Sequence, residues 1–113
     1  MKANELRIGN WVYYPPMKNN YQVLRLNTDI EVDYEPIPLT EEILLKCGFS
    51  NNGDGGVELY LKPMILSYDL KTKKMYLMAG QFAECTDTVP CEYLHQLQNL
   101  YFALTGEELT INL

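Results

Sequence analysis

Cys85, Cys91 and His95 stand in the order C-x5-C-x3-H, and His95 is the only histidine in the chain. Four residues apart on a helix, Cys91 and His95 would share a face and could form a thiol–imidazole pair. With Cys85 added, the three make a possible ligand set for zinc. Structural zinc sites use tighter cysteine pairs and a fourth ligand, and this spacing supplies neither. Free cysteine also commonly behaves as a small buried hydrophobe. Ser50 and Ser67 sit in no nucleophile elbow, and no glycine-rich phosphate loop is present. The oxygen-rich stretch NNGDGG, Asn51 to Gly56, lacks the spacing to a bidentate glutamate that a calcium loop requires. Its Asn52-Gly53 and Asp54-Gly55 pairs signal a hairpin turn instead. The paired Glu41 and Glu42 invite an acid/base reading, but their place in the first turn of a helix already explains them. The sequence therefore predicts a non-enzyme, with no catalytic set, no metal site and no cofactor. A thiol- or metal-dependent enzyme using Cys91 and His95 is the alternative.

Two segments carry residues suited to binding. In YLHQLQNLYFALTGEEL, Tyr93 to Leu109, helical spacing gathers Tyr93, Leu94, Leu97, Leu100, Tyr101 and Leu104 within an arc of about 120°, a core-facing stripe. Phe102 projects to the other side, beside His95, Gln98 and Asn99. An aromatic ring framed by amides suits the centre of a protein interface, so these four are one candidate contact face. The other is NWVYYPPMKNNY, where Trp11, Tyr13, Tyr14 and Tyr21 accompany two prolines. Those are the ingredients of a groove that stacks aromatic rings against peptide, proline-rich or single-stranded ligands. They would equally fill a small β core.

The elements positioning these residues are legible from periodicity. Ile8 and Trp11 to Tyr14 form a strand-prone run around the Gly9-Asn10 turn signal. Pro15-Pro16 and Asn19-Asn20 mark a loop before the alternating run YQVLRL. DIEVDY alternates too, with Ile30, Val32 and Tyr34 on one side, and Asn27 to Asp29 is the turn between those strands. PIPLTEEILLKCGF predicts a short helix near 40–47, with Thr40 as N-cap, Leu39 and Leu44 as a hydrophobic staple and Gly48 as the left-handed terminator. VELYLKP, MILSYDL and KMYLMAGQF are three strands of β-hairpins near 57–79, broken at Lys62-Pro63 and turned at DLKTKK. Pro90 is expected to open a longer helix near 90–105, capped at Thr88 or Val89 and ended by Gly106, with LTINL as a final strand. The predicted fold is α+β: a β-rich N-terminal segment, antiparallel sheet, and a C-terminal helix packed on it, in a single domain over 1–113.

With 113 residues and 47% hydrophobic composition, the chain can bury an independent core. It has no apolar run near the ~20 residues that span a bilayer, so no membrane insertion is expected. Its first residues lack the apolar stretch of a secretory signal. Three cysteines make an odd set, read as free thiols in a cytoplasmic protein. Nine basic against fifteen acidic residues give a net charge of −6. Such a balance argues against direct nucleic-acid binding, and Lys71 to Lys74, the one basic cluster, fits a soluble hairpin turn.

The motifs LRIGNWV, PIPLTEEILLKCGF and LHQLQNLYFALTGEEL, in that order, resemble a family of small uncharacterised proteins of Bacteroides-type gut bacteria and their prophages or mobile elements. The resemblance implies a cytosolic bacterial or phage accessory protein and assigns no activity. The expected function is a non-enzymatic module that binds a protein partner or forms a homo-oligomer. An acidic mimic of nucleic acid, inhibiting a nucleic-acid-binding protein through carboxylates clustered at phosphate-like spacing, is a further alternative.

Overall fold

The computed structural model describes residues 6–23, 34–51, 56–61, 64–79 and 84–112. It is a mixed α+β structure, mostly β, that divides into two compact units: Met1–Pro38 with Tyr93–Leu109, and Leu39–Glu92 with Thr110–Leu113.

The first unit begins with a tight turn in which Gly9 takes φ +98°, a left-handed conformation that costs glycine nothing. Strand β1 (Trp11–Tyr14) follows, then a 3-10 turn (Pro15–Met17) and strand β2 (Asn19–Gln22). The strands pair antiparallel with Val12 opposite Tyr21 and Tyr14 opposite Asn19. Asn19 and Asn20, expected in a loop, are thus part of the ladder. The prolines suit the 3-10 turn, whose fixed φ they already hold. On the other edge of β1, Tyr13 and Glu35 exchange backbone bonds of 2.8 and 2.7 Å. The expected strand over 29–33 and the turn before it lie outside the described residues, as does the end of YQVLRL.

Helix α2 (Leu94–Thr105) packs against β1. Its start differs from expectation, because Pro90 ends a strand and the N-cap is Tyr93. No hydroxyl cap is needed there: Gln96 reaches back so that its Oε1 accepts from Tyr93 N at 3.2 Å, half of a capping box. The entry is pinned by Leu94 N donating to Ile37 O at 2.8 Å. Gly106, at φ +74°, ends the helix as expected. Leu6, Val12 and Val23 form a small core with Tyr34 packed on it, and Ile37, Leu94, Leu97 and Leu109 are also buried. The buried stripe of α2 is shifted from the predicted one: His95 and Gln98 are inside with Leu94 and Leu97, while Leu104 is exposed.

The second unit opens with helix α1 (Glu41–Lys46), where Thr40 Oγ1 accepts from Ile43 N at 3.2 Å and Gly48 takes φ +96°. Strands β3 (Ser50–Asn51), β4 (Gly56–Leu61), β5 (Met64–Asp69), β6 (Lys74–Ala79) and β7 (Glu84–Pro90) form an antiparallel meander in sequence order. The turns at 52–55 and the break at 62–63 lie outside the described residues. Cross-strand rows Val57–Tyr68–Met75 and Leu59–Leu66–Leu77 line one face, most of it buried, as period-2 alternation requires. The 70–73 turn is held by Asp69, whose Oδ1 accepts from Lys71 N at 2.8 Å. β7 was not legible as a strand, and LTINL is not one: 108–112 has no regular structure, and Asn112 N donates to Lys46 O.

Candidate interaction surface

Gln98 is 2% exposed and both ends of its amide are committed. Oε1 accepts from Trp11 N at 2.7 Å, and Nε2 donates to Gly9 O at 3.0 Å. A side-chain amide thereby pairs with the loop backbone as another strand would. Asn99 Oδ1 accepts from Asn10 Nδ2 at 2.9 Å and from Arg7 Nε at 3.2 Å, while Asn10 Oδ1 takes Arg7 N at 2.6 Å. The Arg7 guanidinium also forms an ion pair with Glu108 and lies 4.3 Å over the Phe102 ring. His95 is buried, its ring stacked on Tyr93 at 6.1 Å. The expected contact face of His95, Gln98, Asn99 and Phe102 is therefore corrected in large part. Two of its members point inward, Asn99 is bonded to the N-terminal loop, and Phe102, though 39% exposed, is roofed by Arg7. Only long-range folding could reveal this, since polar residues on a helix read as a solvated rim.

The second expected surface is divided by the pleat. Alternation turns Trp11 and Tyr13 to one face of the hairpin and Tyr14 and Tyr21 to the other. On the latter face the structure adds Tyr34, which the sequence did not single out; its place in the alternating run Ile30–Val32–Tyr34 was the available signal. Tyr21 and Tyr34 stack at 5.7 Å between centroids, and Tyr14 meets Tyr34 edge-on at 5.6 Å and Tyr21 at 6.3 Å. These spacings fall in the attractive range for aromatic pairs. The cluster continues the Leu6–Val12–Val23 core outward: Tyr14 and Tyr34 are half-buried and Tyr21 is 38% exposed. Beyond it stands the hairpin tip, with Met17 at 72% exposure. Partial burial, then the Tyr21 and Tyr14 hydroxyls, push the Tyr34 phenol above its ordinary pKa.

The groups singled out for chemistry are placed otherwise. Burial pushes the Cys91 thiol up to about 12 and the Cys47 thiol to about 11. An activated nucleophile needs the opposite shift. The Cys85 side chain lies outside the described residues, and among those described no group of three His, Cys, Asp or Glu could hold a metal ion. Four of the described carboxylates have local tasks: Glu108 pairs with Arg7, Glu42 with Lys46, Glu41 accepts from Asn51, and Asp69 holds its turn. Among the described residues no helix is long and apolar enough to cross a membrane.

Comparison of the chain with protein-family profiles, curated proteins and solved structures finds no match.

Proposed function

We propose that this chain is a non-enzymatic protein-interaction module, a bacterial or phage accessory protein of the cytoplasm, and that its contact surface is the Tyr14–Tyr21–Tyr34 face. The observation that carries this is a cluster of three mutually packed tyrosines left partly open to solvent at the end of a small core. Tyrosine supplies large contact area at low conformational cost and keeps a hydroxyl for hydrogen bonding, which is why it concentrates at interface centres. Rings already packed against one another lower the ordering cost on binding. The partner is another protein or a second copy of this chain.

Tyr21→Ser tests the reading, since Tyr21 is the most exposed of the three and its loss should leave the fold intact by circular dichroism. Light scattering over a concentration range reports self-association, and affinity purification from the native cell reports a heterologous partner. An oligomer or a co-purifying protein retained by wild type and lost by folded Tyr21→Ser is the expected result. A monomer whose co-purifying proteins are indifferent to Tyr21→Ser would remove this surface from consideration.

A further inference from the structure

We draw no further inference here: the strongest candidate, the partly open apolar face of the β4–β5–β6 sheet where Tyr60, Ile65 and Met78 stand in one cross-strand row on the side away from Leu59, Leu66 and Leu77, carries none because nothing among the described residues shows what covers it.

Discussion

Gln98 and Phe102 lie one turn apart on the same helix and do opposite kinds of work. Gln98 is buried with its amide satisfying Trp11 N and Gly9 O, so removing it strands a buried donor and weakens the acceptor's surroundings. An unsatisfied buried polar group costs about 1–3 kcal/mol, and the vacated volume adds to it. Gln98→Ala should therefore destabilise the fold by about 3 kcal/mol in urea unfolding. Phe102→Ala removes a ring that is open on one side and an arginine stack worth about 1 kcal/mol, so its total stays near 1–2 kcal/mol. The ordering is the test: equal losses would mean that Phe102 is core and the amide incidental. Arg7→Lys sharpens the point. It keeps the charge facing Glu108, an exposed pair worth at most about 1 kcal/mol, but gives up the fork that joins Asn99, the Gln98 carbonyl and Phe102. A measurable loss in Arg7→Lys, about 1 kcal/mol, would show that the geometry of the guanidinium matters more than its charge.

Helix α1 could be read from sequence because every signal it uses is local: a threonine cap, two first-turn glutamates and a glycine terminator. Thr40→Ala should cost about 1 kcal/mol, the usual worth of an N-cap hydroxyl. Gly48→Ala should cost about 1–2 kcal/mol through its positive φ alone, because an added Cβ would only touch Leu59 at 3.7 Å. If Gly48→Ala were neutral in thermal unfolding, the left-handed terminator would not be holding the helix end. Strands β4, β5 and β6 were legible for the same reason, being β-prone runs between turn signals. β7 was not: ECTDTVP shows no clean alternation, and its strand character comes from pairing with β6 across a shift at Leu77/Met78. Pro90 was ambiguous in kind, since a proline fits the first turn of a helix and the end of an edge strand equally well. The tyrosine cluster was half legible. Tyr14 and Tyr21 belong to one hairpin, but Tyr34 joins them only through the Tyr13–Glu35 pairing, a register that no local pattern announces.

At the scale of the whole molecule, the groups whose ionisation is most disturbed among the described residues are weak acids buried as neutral species, and these bear on how stability depends on pH. The Cys47 thiol is raised from 9.0 to about 11, the Cys91 thiol from 9.0 to about 12, and the Tyr68 phenol from 10.0 to about 12, in each case chiefly by burial. Tyr68 is further tied by its hydroxyl donating to the Cys91 carbonyl at 2.6 Å. Below about pH 9 folded and unfolded chains both keep these protons, so stability is fully present there and insensitive to the thiols. Above it the unfolded chain loses them first, binds fewer protons than the native state, and is stabilised relative to it. Each buried thiol then removes about 1.4 kcal/mol per pH unit until its folded form ionises too. By about pH 10 the two thiols together remove about 3 kcal/mol, a large share of a typical total of about 5–15 kcal/mol. The urea midpoint should hold level from about pH 7 to about pH 8.5 and fall steeply by about pH 10. Substituting Cys47→Val and Cys91→Val together removes both titrations and should flatten most of that fall, leaving the phenol to act above about pH 10. The double variant separates burial of the thiols from the growing negative charge of an already acidic chain, which it shares with wild type. An undiminished alkaline fall in the double variant would assign the effect to charge repulsion and show the thiols to be bystanders.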